Sequence, residues 1–284
     1  MLMQILRSIE EVIEGQPTSD GDGVKLTRVI GGENLSRFDP FLMLDEFGSD
    51  KAADYIGGFP SHPHRGFETV TYMLDGSLEH KDHMGNIGKL DSGDVQWMNA
   101  GSGVIHSEMP QQEEGLMRGF QLWLNLPGAE KMKPPTYQDL KADSIPVYEI
   151  DEVKIKAIAG ELVSGPVKLQ GAVSGLTTDP AYLDIGFKAG QSLTLDVPLG
   201  YTALVYVYEG SVSLAGSDYL LRKGRLARLS KEGLLGLNAS VDSRVLVMTG
   251  KPIGEPVVQH GPFVMNKVEE IQQAIRDYNQ GKLV

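Results

Sequence analysis

Short runs of apolar residues, separated by Gly, Asp and Pro, recur along the chain. Strand-like runs occupy residues 24–30, 67–74, 94–100 and 120–126. Runs of this length bounded by turn residues indicate β-strands, and their regular spacing favours a sandwich or a barrel. The 34 glycines and 15 prolines also fit a fold with many turns. We therefore predict an all-β fold.

A proline-rich stretch interrupts this pattern near the middle of the chain. It covers residues 126–135, and polar residues follow to about position 146. Such a stretch is typical of a connection between domains, and 284 residues suffice for two domains of ordinary size. We predict an N-terminal domain over residues 1–135 and a C-terminal domain over residues 136–284.

The two halves share a faint internal repeat. Residues 72–77, YMLDGS, resemble residues 206–211, YVYEGS, at an offset of 134. Each copy is a strand that ends in an acidic residue and a Gly turn. Because the strand patterning on both sides is also similar, the repeat indicates a duplicated domain.

The end of the chain predicts a helix in the second domain. Asn266 can cap it, with Glu269 as the capping-box partner, and Gly281 can end it. We expect the helix to pack through one apolar stripe, which consists of Val268, Ile271, Ile275 and Tyr278.

The amino-acid composition disfavours several classes of binding partner. The 26 Lys and Arg residues against 38 Asp and Glu residues leave a net charge of −12, which disfavours direct binding to nucleic acid or to an anionic membrane. Cysteine is absent, so thiolate chemistry and disulfides are excluded. The N-terminus carries charges too early for a signal-peptide core, and no apolar run could span a bilayer. We expect a cytoplasmic protein.

Candidate chemistry is concentrated in the first half, where five of the six histidines lie between His62 and His106. Two pairs have strand spacing, namely His62 with His64 and His106 with Glu108. Side chains at i and i+2 of a strand point to one face, roughly 7 Å apart. Three imidazoles and a carboxylate directed at one point would hold a divalent transition metal and leave coordination positions open.

The alternative for His62 and His64 is an ordinary turn, but the second pair favours a metal site. Pro63 has no N–H, so we expect its strand to lie at a sheet edge. The repeat places residues other than histidine near the four matching positions of the second half, namely Asp196, Pro198, Leu237 and Ala239. We therefore expect only the first domain to bind metal.

Glu68 lies four residues beyond His64, so strand alternation predicts that it shares the histidine face. It could be a fifth ligand, an acceptor that orients an imidazole, or an ion-pair partner of Arg65. His80 and His83 lie in a charged stretch, and we expect both to be solvated.

The remaining candidates have a structural or a lining role. His260 has no partner at ligand spacing, and we expect it to be structural. Four large apolar side chains are expected in the core or lining the barrel, and one or two of them could form the wall of a substrate pocket: Trp97, Met98, Phe120 and Trp123.

Four strings carry a family resemblance: FDPFLMLDEF (38–47), HPHRGFETVTY (62–72), GDVQWMNAGSGVIHSEMP (93–110) and RGFQLWLNLP (118–127). Together with GPFVMN and IQQAIRDY near the C-terminus, they closely resemble the pirin family of cupin proteins. The resemblance covers nearly the whole chain. It implies a bicupin, which is two jelly-roll β-barrels face to face, followed here by a short helix.

The resemblance also implies a ligand set. The three histidines and one glutamate that bind metal in the N-terminal barrel of pirins match His62, His64, His106 and Glu108. The metal is usually Fe(II), although Ni, Cu, Mn and Zn can use such ligands. Glu68 stands where other cupins place a ligand, but it is not counted as one in pirins.

Two functions follow from the resemblance. Several members resemble quercetin 2,3-dioxygenases, which open flavonols with dioxygen and release carbon monoxide, and here Glu108 would take the flavonol hydroxyl proton. The mammalian relative is described as a nuclear cofactor that senses iron redox state, and bacterial relatives are linked to partner enzymes. The second hypothesis is therefore a non-enzymatic, metal- or redox-responsive protein that binds a protein partner. A sugar- or acid-binding cupin with an incidental metal is a third.

Overall fold

The computed structural model describes residues 5–32 and 34–284, and strands dominate it. The first twelve strands are β1 (Ile9–Glu14), β2 (Gln16–Asp20), β3 (Val24–Ile30), β4 (Phe41–Ser49), β5 (Phe59–His64), β6 (Phe67–Asp75), β7 (Leu78–Asp82), β8 (Ile87–Leu90), β9 (Val95–Asn99), β10 (Val104–Pro110), β11 (Met117–Asn125) and β12 (Thr136–Leu140).

The second half continues in the same manner. Its strands are β13 (Val147–Ile150), β14 (Val153–Ala159), β15 (Glu161–Ser164), β16 (Val167–Gln170), β17 (Ala181–Phe187), β18 (Ser192–Asp196), β19 (Thr202–Glu209), β20 (Ser211–Leu214), β21 (Leu220–Arg222), β22 (Arg225–Leu229), β23 (Leu234–Ala239), β24 (Ser243–Gly250), β25 (Val258–His260) and β26 (Phe263–Met265). Helix α1 (Val268–Asn279) follows, and 3₁₀ turns occupy Ala52–Asp54 and Ala142–Ser144. The predicted all-β fold is confirmed, and the four predicted runs correspond to β3, β6, β9 and β11.

The chain divides into two compact units. One unit, which we call the histidine unit, comprises residues 16–142 and 253–284. The other, which we call the apolar unit, comprises residues 143–252 and the described part of residues 1–15. The division therefore differs from the predicted bounds at both ends of the chain, because each terminal segment belongs to the unit built mainly from the other half.

Each unit contains two large sheets, and the histidine unit also contains the two-stranded sheet β25-β26. In the histidine unit a seven-stranded sheet has the order β12-β9-β6-β11-β4-β3-β2, and a four-stranded sheet has the order β5-β10-β7-β8. In the apolar unit a seven-stranded sheet has the order β1-β22-β19-β24-β17-β14-β13, and a six-stranded sheet has the order β16-β15-β18-β23-β20-β21.

The sheet orders support the predicted repeat. Strands β6 and β19, which carry the two copies of the six-residue motif, occupy the same place in their seven-stranded sheets. Their neighbours also correspond, β11 with β24, β4 with β17 and β3 with β14. Both motif strands end at a glycine in the left-handed region, Gly76 at φ 88° and Gly210 at φ 68°. The edge strand beside β9 and β22 comes from different parts of the chain. It is β12 in the histidine unit and β1 in the apolar unit.

Strand β12 lies inside the predicted connection between domains. It pairs with β9 from Thr136 opposite Asn99 to Leu140 opposite Val95. The proline-rich stretch was therefore only partly a linker, since its polar end forms a sheet edge.

The C-terminal segment completes the histidine unit. The backbone N–H of Val264 donates to the carbonyl of Arg65 at 3.0 Å, and the Arg65 guanidinium pairs with Asp277 of α1 at 2.7 Å. The buried ammonium of Lys131 donates to the carbonyl oxygens of Gly66, at 2.7 Å, and Val264, at 3.2 Å. These contacts explain why the helix belongs with the first half of the chain.

The N-cap of the helix is Lys267, one residue after the predicted cap Asn266. The carboxylate of Glu270, rather than Glu269, accepts from the backbone N–H groups of Asn266 and Lys267, both at 3.0 Å. Its buried face consists of Ile271 and Ala274, whereas Val268 and Tyr278 are exposed. Among the residues that the structure describes, no helix is long and apolar enough to cross a membrane.

Candidate metal centre

The three histidines predicted as ligands converge. His62 and His64 lie on β5, which is an edge strand, as expected from Pro63. His106 lies on β10, directly opposite His62 in the antiparallel register. One ring nitrogen from each imidazole lies within 4.8 Å of the others, and no further residue among residues 5–32 and 34–284 joins this group. The backbone pairing of two strands thus brings the three donor atoms to one place.

The hydrogen bonds of His62 determine its tautomer. Its Nδ1 lies 2.8 Å from the carbonyl oxygen of Pro60, and because a carbonyl can only accept, Nδ1 carries the proton. The lone pair on Nε2 then faces Nε2 of His64 at 3.0 Å. In an octahedral complex with metal–nitrogen bonds of about 2.1 Å, neighbouring nitrogens lie about 3.0 Å apart. The pair is therefore spaced to bind one cation.

His106 has a second, unforeseen partner. Its Nδ1 lies 2.9 Å from Nε2 of His80, while its own Nε2 is buried and has no hydrogen-bond partner in the described part of the chain. If the Nδ1–H of His106 donates to His80, Nε2 is left with a free lone pair for a cation. Orphaned buried nitrogens are rare in proteins, so this atom fits a metal ligand.

Burial favours the neutral form of His64, His106 and His80. Desolvation, and then the neighbouring imidazoles, hold the pKa values of His64 and His106 well below their usual value. Burial also lowers the pKa of His80. Neutral imidazole is the form that binds transition metals, so the electrostatics and the donor geometry agree.

The prediction that His80 is solvated was wrong. It is 1% exposed on β7, where Leu78 and His80 alternate with half-buried Glu79 and exposed Lys81. That alternation was a usable signal, but the charged neighbours concealed it. His83, which was also predicted to be solvated, is exposed, and so is His260 on β25.

Glu108 borders the same site without joining the three nitrogens. A register shift in the pairing with β5 separates it from His106. The Thr71 hydroxyl lies 2.8 Å from its Oε1, and the amide nitrogen of Gln121 lies 3.4 Å from its Oε2. The sequence reasoning missed Thr71 and Gln121, which hold this carboxylate. Its role as the fourth ligand stays a prediction.

Glu68 does not share the histidine face. Thr71 on β6 contacts Glu108, so residues of even number on that strand point to the opposite side. The chain leaves β5 through Gly66, at φ 90°, and enters the other sheet there, which breaks the alternation assumed from His64. Glu68 is buried and accepts from Asn99 at 3.2 Å, and burial raises its pKa to about 7.

A cavity of about 690 Å³ opens onto His62, His64 and Glu108. This volume suits a small organic ligand. Its apolar wall includes Phe59 and the half-buried Trp123. The other predicted lining residues, Trp97, Met98 and Phe120, are buried.

Comparison with known proteins agrees with this geometry. The family model "Pirin" matches residues 23–124, and the model "Pirin C-terminal cupin domain" matches residues 182–284. The chain belongs to the pirin family. Its two units are accordingly cupin domains.

The relatives of this pirin carry two kinds of name. A Pseudomonas aeruginosa protein named "Putative quercetin 2,3-dioxygenase" is 53% identical over 98% of both chains. Human pirin is 41% identical, over 93% of this chain and 89% of its own. The crystal structure of a quercetin 2,3-dioxygenase from Acinetobacter baumannii has a TM-score of 0.88 at 38% identity, and the match covers 98% of this chain and 99% of that one.

Proposed function

We propose that this pirin is a metal-dependent dioxygenase that cleaves flavonols such as quercetin, with Fe(II) as its metal. The observation that carries the proposal is the convergence of three imidazoles at a cavity with aromatic walls. The similarity to a quercetin 2,3-dioxygenase over almost the whole chain supports the same reaction class.

Nε2 of His62, His64 and His106 would hold the metal, with Glu108 as a candidate fourth ligand. When bound, the metal supplies Lewis-acid polarisation of the hydroxyl and ketone oxygens of the flavonol. The tautomers of His62 and His106 keep the lone pairs of both Nε2 atoms directed into the site, because Pro60 and His80 occupy the other nitrogens.

Glu108 is the group that can take the proton of the flavonol hydroxyl. The Thr71 hydroxyl and the Gln121 amide hold its carboxylate at the border of the site. A carboxylate placed within reach of a bound hydroxyl serves as a general base. Loss of that proton makes the flavonol ring electron-rich, which is the condition for its reaction with dioxygen.

The cavity wall orients the substrate and excludes water. Phe59 and Trp123 offer aromatic faces that can stack on a planar ring. His64 packs edge-on against Trp123, with ring centroids 5.3 Å apart, so the aromatic wall reaches the metal centre itself. A flat aromatic substrate would therefore lie against this wall with its polar oxygens at the histidines.

The test is aerobic turnover of quercetin by iron-loaded protein, with the carbon monoxide released as the product assay. Metal analysis of protein purified without added metal would establish the resident ion. We expect the His62→Ala and Glu108→Ala variants to lose turnover, while Glu113→Ala, which removes an exposed carboxylate, retains it. Equal rates in all of these proteins would remove the proposal.

A second candidate is a non-enzymatic, metal- or redox-responsive protein that binds a protein partner. The feature that favours it is the apolar unit, whose described interior is a single hydrophobic core in the places that hold the metal centre in the histidine unit. In that case, recovery of a partner in a pull-down should differ between reduced, oxidised and metal-free protein. Unchanged recovery would count against this candidate.

A further inference from the structure

A row of polar side chains crosses the inner face of the seven-stranded sheet of the histidine unit. Thr71 on β6 lies opposite Gln121 on β11, and Gln121 lies opposite Asp45 on β4. Asp45 in turn lies opposite Arg28 on β3. These four residues, which we call the polar row, occupy neighbouring strands and extend over about 14 Å at the usual strand separation.

The row is continuous with Glu108 at its inner end. The Thr71 hydroxyl lies 2.8 Å from Glu108 and 2.7 Å from Oε1 of Gln121. At the outer end, Nε and Nη2 of Arg28 donate to the two oxygens of Asp45 at 3.0 and 2.7 Å. The row thus begins at the metal centre and ends at Arg28, which pairs with Asp45 at two points and also contacts the exposed Asp20 at 3.0 Å.

The apolar unit shows that the fold does not require these polar groups. The offset of 134 matches Thr71 with Val205, and the strand registers extend the match across the sheet. The matching row is buried and wholly apolar, and it consists of Val205, Val247, Leu183 and Ala157. The same sheet position is therefore filled by hydrocarbon where no ligand chemistry is present.

The ion pair between Arg28 and Asp45 carries a desolvation cost that an apolar pair at the same place would not carry. Asp45 is 2% exposed, and taking its charge from water carries a desolvation penalty that the attraction to Arg28 only partly offsets. Replacing such a pair by apolar residues often leaves stability unchanged. The presence of the pair is therefore better explained by what faces it than by the stability of the sheet.

The pair faces the cavity. Gln121, Asp45 and Arg28 line the same space as His62 and Trp123. A molecule bound there would have apolar rings against Trp123, one polar end at the histidines and the other end beside Asp45 and Arg28. Asp45 offers acceptors and Arg28 offers donors, which is the complement of phenolic hydroxyl groups.

We propose that Asp45 and Arg28 form a subsite that binds the hydroxyl groups of a polyhydroxylated planar aromatic molecule at the end remote from the metal. The subsite determines which flavonols bind well. It rests on the proposed function in one respect, which is that the 3-hydroxyl of the flavonol lies at the histidines. Flavonols that lack remote hydroxyls leave the ion pair desolvated without compensation, so they bind more weakly.

The test uses a double variant that copies the apolar unit, Arg28→Ala with Asp45→Leu. Removal of both charges leaves no unpaired buried ion. Dissociation constants are measured for quercetin and for 3-hydroxyflavone, which lacks the remote hydroxyls, on zinc-loaded protein without dioxygen. Zinc has no redox chemistry of its own, so binding is separated from turnover.

We expect the native protein to prefer quercetin by roughly tenfold, as for a hydrogen bond to a charged group, and the double variant to lose that preference. The matched control is Lys25→Ala with Asp54→Leu, which removes an ion pair (2.7 Å) outside the cavity and should leave the preference intact. If the double variant does not fold, Asp45→Asn removes one of the two charges while keeping the side-chain shape, and it should reduce the preference.

No preference in the native protein, or an undiminished preference in the double variant, would overturn the subsite. The outcome is separable from that of the proposed reaction. Selective binding without aerobic turnover would contradict the dioxygenase proposal and support the subsite. Turnover with an unchanged preference in the double variant would support the dioxygenase and contradict the subsite.

Discussion

The two cupin units place opposite chemistry at corresponding positions of one architecture. Leu237 and Ala239 on β23 lie near the repeat positions of His106 and Glu108 on β10, and both pack into the apolar core. The inner faces of the two sheets of the apolar unit form a single hydrophobic core. In the described part of the histidine unit, smaller apolar clusters border the polar cavity through Phe47, Phe59 and Trp123.

This contrast separates what the barrel needs from what the site needs. A cupin barrel closes when both inner faces are apolar and well packed, as in the apolar unit. The polar interior of the histidine unit contributes little to folding, because each buried polar group carries a desolvation cost that hydrogen bonds only offset. Substitutions that exchange residues between the units can therefore test the assignment of function.

The largest effect is expected from giving the histidine unit the residue of its counterpart. His106→Leu removes one of three converging nitrogens, and we expect metal affinity to fall more than about 100-fold. This exceeds the loss that is typical when a residue hydrogen-bonded to a metal ligand is removed. Competition with a chromophoric chelator measures the dissociation constant. Stability of the metal-free protein should change little, because the gain from replacing a buried imidazole by hydrocarbon is offset by the loss of the partner of His80. Retained affinity would contradict the metal assignment.

The reverse exchange should damage the fold instead. Leu237 is 1% exposed, and Leu237→His loses packing and buries an imidazole among hydrocarbon side chains. We expect unfolding free energy to fall by about 3 kcal/mol, measured by urea unfolding of metal-free protein. Leu237→Met, which conserves volume, is the control and should lose about 1 kcal/mol or less. If Leu237→His did not lower the free energy of unfolding, packing would not distinguish the interior of the apolar unit from that of the histidine unit.

A smaller loss is expected at His80, which acts only through His106. His80→Leu removes the acceptor for the Nδ1–H of His106, so metal affinity should fall about 10- to 100-fold. His80→Gln retains a hydrogen-bond acceptor and should recover part of the affinity. His83→Leu alters an exposed imidazole three residues away and should leave affinity unchanged. Equal losses in the Leu and Gln variants would assign the effect to packing instead.

The smallest effect concerns Glu68, whose repeat position in the apolar unit holds the neutral Thr202. Burial raises the pKa of Glu68 from 4.5 to about 7. The folded state therefore binds more protons than the unfolded state between these values, and this group makes stability fall as pH rises through that window. Glu68→Gln should remove this dependence and stabilise the folded state at pH 8, where native Glu68 is ionised.

The measurement is urea unfolding at several pH values, with metal-free protein throughout. The Gln variant and the native protein should agree near pH 4.5 and diverge by pH 8. Stability curves that stay parallel across this range would mean that Glu68 is not desolvated as its burial indicates.

Several features were determined by the sequence alone. Apolar periodicity and turn residues predicted the strands, because side-chain alternation and turn geometry are local properties. The H-x-H and H-x-E spacings predicted which side chains share a face, and three of the four predicted ligands converge. The repeat at an offset of 134 predicted where the second unit would lack histidines.

Other features depended on contacts between residues distant in sequence. His80 is buried because β7 pairs with β10, whose His106 it contacts. The polar row exists only because four strands lie side by side in a non-sequential order, and the two terminal segments complete units built from the opposite halves of the chain. Alternation along one strand decides which face a side chain occupies. Only the packing of strands against each other decides what that face meets.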